Sequence, residues 1–173
     1  MSSAFDKAWS LLKAPLDLDS IREVGRQPPG NYSPYTEYEA DFIHPDTGLK
    51  MPMKATYQPR GNDLPNIKTG GTWDRRSWIK ANLGGKGTRD DQHYAWAAVE
   101  DTKDGPYTAN VLNSAWNGRR KGRGTALYDL IARIIHMNTD KHLSPSDALH
   151  PMGRAMWDAQ APDGVWPHDE VRI

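Results

Sequence analysis

The stretch Arg119-Arg120-Lys121-Gly122-Arg123-Gly124-Thr125-Ala126-Leu127-Tyr128 constrains the fold more than any other, because a cationic, glycine-bearing turn passes directly into a patterned helix. Ahead of it, Tyr107 to Leu112 reads as a strand. Behind it, Leu127, Leu130, Ile131, Ile134 and Ile135 fall on one helical face, with Asp129, Arg133 and His136 elsewhere. The first turn of a helix leaves backbone N–H groups unpaired at the positive end of the helix dipole, so such a junction suits a diphosphate. Gly122 and Gly124 let oxygens approach the backbone without interference from a Cβ.

A chain of 173 residues suits one domain with a core of its own. Lys+Arg and Asp+Glu each number 22, so the formal net charge is zero and no global attraction to nucleic acid or to an anionic membrane follows. Any such affinity must come from local patches such as 119–123 or Arg75-Arg76. The absence of cysteine excludes disulfides, thiolate metal sites and cysteine nucleophiles. No positively charged start leads into an apolar run, and no stretch of roughly eighteen apolar residues occurs, so a soluble cytoplasmic chain without a membrane partner is expected.

Along the chain, Ala4, Phe5, Ala8, Trp9, Leu11 and Leu12 have helical spacing, and Pro15 stops the pattern. Residues 1–34 therefore read as an N-terminal helix and a connector through Pro28-Pro29-Gly30. Tyr35 to Ile43 and Lys50 to Tyr57 read as a hairpin around Pro45-Asp46-Thr47-Gly48. Gln58 to Gly71 is broken by Pro59, Gly61, Pro65, Gly70 and Gly71 into a long surface loop. A helix is expected from Thr72 or Asp74 to Asn82, ended by Gly84-Gly85. Gln92 to Glu100 and Tyr107 to Leu112 make a second hairpin across Asp104-Gly105, and Leu149 to Gln160 forms the last helix.

The pattern Arg119-x-x-Gly122-x-Gly124 followed by Thr125-Ala126-Leu127 resembles the acyl-CoA-binding motif of the GCN5-related N-acetyltransferase (GNAT) superfamily, over residues from about Tyr107 to about Trp157. The run Ser3-Ala4-Phe5-x-x-Ala8-Trp9-Ser10-Leu11-Leu12-Lys13 is similar to the opening of some phage-encoded small proteins, which would place this one in the host cytoplasm. The resemblance implies a single α/β domain over 1–173, with a mixed, mostly antiparallel central sheet flanked by helices and an acyl-CoA-binding core over 107–160. It further implies acetyl transfer from acetyl-CoA to an amine of a protein, small molecule or nucleic acid, by a monomer or homodimer. The cofactor would be held by Leu112 and Ser114 on the strand, by Arg119, Arg120, Lys121, Gly122, Arg123, Gly124 and Thr125 in the loop, and by Ser146 beyond it. Arg123 stands where the family usually has an aliphatic residue, and Ser114 and Trp116 replace the usual aliphatic residue and proline. Trp157 stands where many members carry an acidic tyrosine, a role that an indole cannot take.

An amine must lose a proton before it attacks a thioester. Glu37, Glu39 and His93 are the candidate bases, and Tyr94 or Tyr38 the candidate acid, since each lies on an expected strand among aromatics. For any one of them, a place on a solvated strand face is the commoner use. Ser144 and Ser146 are either ligands of the pantetheine arm or caps of the following helix. The six histidines form no His-x-x-x-His or His-Glu-x-x-His pair, so no metal is expected. Seven tryptophans, several near basic segments, fill a core or stack nucleobases, which keeps two rivals open. One is a phage-type enzyme of the same fold that modifies a base amine, and the other a non-enzymatic module that binds nucleic acid or protein.

Overall fold

A computed structural model describes residues 16–28, 30, 33–44, 48, 50–62, 64–84, 95–114, 123–147, 149 and 151–168. The expected helix at Ala4 to Lys13 lies outside them. Among the described residues nine strands and two helices follow in chain order: β1 (Leu16–Gln27), β2 (Tyr35–Ile43), β3 (Lys50–Gln58), β4 (Leu64–Pro65), β5 (Thr72–Trp73), β6 (Trp78–Leu83), β7 (Ala95–Asp101), β8 (Tyr107–Ser114), α1 (Arg123–Asn138), β9 (Leu143–Ser144) and α2 (Pro151–Gln160). Seven strands form one sheet in the order β1-β2-β3-β6-β7-β8-β9, and β4 pairs with β5 in a small separate ribbon. Every neighbouring pair of the large sheet is antiparallel except β8 and β9, which run parallel. The parallel pair requires a crossover connection, and α1 provides it.

Strict alternation builds the sheet. On one face lie Tyr38, Ala40 and Phe42 of β2, Met53, Ala55 and Tyr57 of β3, Ile79, Ala81 and Leu83 of β6, and Ala95, Ala97 and Val99 of β7, all buried. Ala55, Ala81 and Ala97 stand opposite one another in a row across three strands. Short side chains there leave room for the bulky face of α1, which crosses β3, β6 and β7 with Leu127, Leu130, Ile131 and Ile134 buried.

The expected hairpins around 44–49 and Asp104-Gly105 are present. Gly48 has φ 69° and its N–H donates to His44 O at 2.8 Å, a conformation that glycine adopts without cost. Two expectations need correction. The stretch from Thr72 to Asn82, read as a helix, contains β5 and the strand β6. Its flanking cap and stop residues look helical, but Trp78-Ile79-Lys80-Ala81-Asn82-Leu83 alternates, and that period of two matches a sheet buried on one side. Within 1–34, residues Leu16–Gln27 form strand β1, the outermost of the sheet among the described residues, where the sequence suggests only a helix and a connector. Its ladder with β2 slips between Asp17 and Arg22 and again between Glu23 and Gly25, so no regular alternation marks it.

Helix α1 is covered on nearly all sides. Asp129, expected away from the apolar face, is buried and accepts a hydrogen bond from Trp166 Nε1 at 2.8 Å. Trp157 of α2 and Trp166 of the C-terminal segment meet edge to face at 4.8 Å, and both pack on Tyr128. Pro151 opens α2 at a position where a missing N–H costs nothing.

Candidate functional site

The parallel strands β8 and β9 are closed at one end and open at the other. The closed end is bound by Asp101, the last residue of β7, whose side chain is 3% exposed. Its carboxylate accepts from Arg60 Nη2 at 2.7 Å and Nε at 3.1 Å, from the Ser77 N–H at 2.9 Å, and from Lys141 Nζ at 3.0 Å. Lys141 follows α1, and its ammonium also donates to Thr102 O at 2.6 Å, tying the approach to β9 onto the β7–β8 turn. The Tyr107 hydroxyl donates to Ser77 Oγ at 2.7 Å, which donates in turn to Gln58 O at 2.6 Å. Burial pushes the Tyr107 phenol well above the usual range.

Pairing of β8 with β9 consists of Tyr107 opposite Leu143 and Thr108 opposite Ser144. Pro145 follows immediately and has no N–H to extend the ladder. At the same level β8 bulges: Val99 faces Ala109 and Ala98 faces Val111, so Asn110 is the additional residue and the strand bends. Beyond Thr108, β8 continues to Ser114 with β7 as its only partner strand among the described residues. Its other edge presents peptide donors and acceptors to whatever lies in the opening. Helix α1 then begins at Arg123, with no acidic residue in its first turn and with Gly124 half-buried there. An open strand edge leading to the N-terminus of a sixteen-residue helix can hold an extended amide-bearing arm and an anion beyond it.

Of the residues singled out in the sequence, Leu112 and Ser114 lie on β8 opposite Ala97 and Ala95, and Arg123, Gly124 and Thr125 begin α1. Ser146 is half-buried two residues past β9, on the diverging side, and five residues before α2, away from its cap. Arg119, Arg120, Lys121, Gly122, His93 and Tyr94 lie outside the described residues. Glu37 and Glu39 are not brought to the opening. They sit on β2, and with β3, β6 and β7 between them and β8 the separation is about 19 Å at ordinary strand spacing. Glu39 accepts from Arg22 at 3.1 Å, and Glu37 lies exposed beside Gly25. The Tyr38 hydroxyl accepts from Asn138 Nδ2 at 3.1 Å, at the end of α1.

Trp157 is fully buried, and its Nε1 approaches the Tyr128 hydroxyl without closing a hydrogen bond of ordinary geometry. Burial pushes the Tyr128 phenol up to about 12, opposed only by that neighbouring indole N–H. Sequence reasoning missed Asp101, Arg60, Lys141 and the Asp129–Trp166 pair. Their partners are some forty residues apart in the chain, a separation that leaves no local pattern.

No protein-family model, curated protein or solved structure matches the chain. What the fold defines is an α/β protein that has, among the described residues, a seven-stranded, mostly antiparallel sheet and two helices. Among the described residues no helix is long and apolar enough to cross a membrane, and no three His, Asp or Glu side chains gather as a metal site requires.

Proposed function

We propose that the protein is an acyl-CoA-dependent N-acyltransferase of the GNAT kind, transferring acetyl from acetyl-CoA to an amine. The observation that carries this reading is the parallel β8–α1–β9 unit. Its two strands share two residue pairs, the ladder ends at the bulge in β8 and at Pro145, and the helix that connects the strands carries Gly124 in its first turn.

In this reading the free edge of β8 from Ala109 to Ser114 holds the pantetheine arm by backbone hydrogen bonds. The N–H groups of Lys121 to Thr125 hold the diphosphate, with Arg119, Arg120 and Lys121 adding charge. The thioester supplies an activated acyl carbon: the amine nitrogen bonds to it, the C–S bond breaks, and the amine's proton ends on the departing thiolate. The chain then needs no nucleophile of its own, which suits one without cysteine. Peptide N–H groups on the β8 edge face the developing oxyanion, where preorganised donors contribute most.

Gly124→Glu tests this directly. A glutamate in the first turn of α1 favours the helix through its dipole, while its charge and bulk oppose a diphosphate. The variant is expected to melt no lower than the parent and to lose acetyl-CoA binding by at least roughly tenfold in calorimetric titration. Failure of the parent chain to bind acetyl-CoA while folded would sink the reading.

A further inference from the structure

The arm between β3 and β6 carries an aliphatic side chain into solvent on a braced support. Leu64 and Pro65 pair with Trp73 and Thr72. Across the tip, the Asn66 N–H donates to Gly71 O at 2.8 Å and the Gly70 N–H donates to Asn66 O at 2.9 Å. The Lys68 N–H donates to Asn66 Oδ1 at 3.1 Å, and Gly70 takes φ 74°, so the turn has a defined shape. At the root, the Gly61 N–H donates to Arg75 O at 3.0 Å, and Arg60 joins Asp74 to the buried Asp101. On this support Ile67 is 98% exposed and Leu64 48% exposed.

Charge on the arm is uneven although the whole chain is neutral. Arg60, Lys68, Arg75 and Arg76 face only Asp63 and Asp74 in the sequence of the arm. Asp74 is engaged by Arg60 and Arg76, and Arg60 also by Asp101. Lys68 at the tip and Arg75 at the root have no ion pair among the described residues, Arg75 donating instead to Ser33 Oγ at 3.4 Å. An apolar tip with Lys68 beside it, on an arm of net positive charge, complements a polyanion with an apolar interior, which is what a base stack inside its phosphates offers.

We propose that this arm is a wedge for duplex DNA, with Ile67 entering a base step and Lys68 beside it meeting a flanking phosphate. A duplex fits better than a single strand. Single strands are gripped by aromatic platforms, whereas aliphatic wedges unstack paired steps, and the tip residue is an isoleucine. The hydrogen-bonded turn lowers the ordering cost of insertion. The assignment is independent of the acyl-CoA reading.

Anisotropy of the full chain with a fluorescent duplex of about 20 base pairs containing TA steps, which kink easily, provides the test. Binding that weakens by at least about threefold between roughly 50 and 200 mM salt is expected. Ile67→Ser should weaken it roughly tenfold with the salt slope unchanged and remove the bend seen by energy transfer between labelled ends. Lys68→Glu should weaken it and flatten the slope by about 1. Both side chains are exposed, so thermal melting should match the parent. No salt-dependent binding below roughly 100 μM overturns the proposal. So does parental affinity in Ile67→Ser, and so does Ile67-dependent self-association in sedimentation without DNA binding, which would assign the tip to a second copy of the chain.

Discussion

At Asp101, donors from three distant parts of the chain meet one buried carboxylate. Arg60 arrives from the arm after β3, Ser77 from the start of β6, and Lys141 from beyond α1. Removing the carboxylate leaves two cations and a peptide N–H facing a hole. Arg60 and Lys141 are 24% and 28% exposed, so water recovers part of the loss. Asp101→Ala is expected to cost about 3 kcal/mol in urea unfolding, and Lys141→Met about 1 kcal/mol, since the carboxylate then keeps Arg60 and Ser77. Equal stability of Asp101→Ala and the parent would show that the cluster holds nothing together. An aspartate at a strand end reads from the sequence as a solvated turn residue, and only the arrival of Arg60 and Lys141 makes it the clasp of the closed end. Asp129 is the same lesson on a helix. Its place in the helical pattern pointed it to water, yet the C-terminal segment covers it and brings Trp166 Nε1 within 2.8 Å.

Elements whose burial matches their local period were legible. The β2–β3 and β7–β8 hairpins, α1 and α2 each bury a face that the residues announce. Strand β6 resembles a helix in sequence because Asp74 and Gly84 imitate a cap and a stop, while six residues are too few for the period alone to outvote them. Strand β1 escaped because its two slips in register scramble the alternation and because an edge strand buries little. The same contrast predicts dynamics. Strands β6 and β7 have partners on both sides and lie under α1, whereas β1 has a partner on one side only among the described residues. Amide hydrogen exchange is therefore expected to be slowest in β6 and β7, faster in β1, and faster still in the β4–β5 ribbon, with opening free energies differing by at least about 2 kcal/mol between the extremes. Protection of β1 equal to that of β6 would mean that the outer edge of β1 is covered.

For the molecule as a whole, three buried phenols set an alkaline limit. Burial raises Tyr57, Tyr107 and Tyr128, the last to about 12 from 10.0. In the unfolded chain these groups ionise near pH 10, while the fold keeps them protonated. Their contribution is thus complete below pH 10 and lost as pH rises through the folded values. Tyr128 alone accounts for about 3 kcal/mol of that loss between roughly pH 10 and 12. Denaturant midpoints should fall steeply in this window, and Tyr128→Phe should fall less; an unchanged slope in the variant would place the loss elsewhere. The order of residues by itself determined an α/β chain, the amphipathic helix that follows β8, and most of the strands, because hydrophobic period and turn chemistry act over a few residues. Tertiary structure alone decided that β8 and β9 run parallel, that they part after two pairs, and that Asp101 clasps the closed end. Those features depend on groups thirty to forty residues apart, and a folded sheet is what brings such groups within hydrogen-bonding distance.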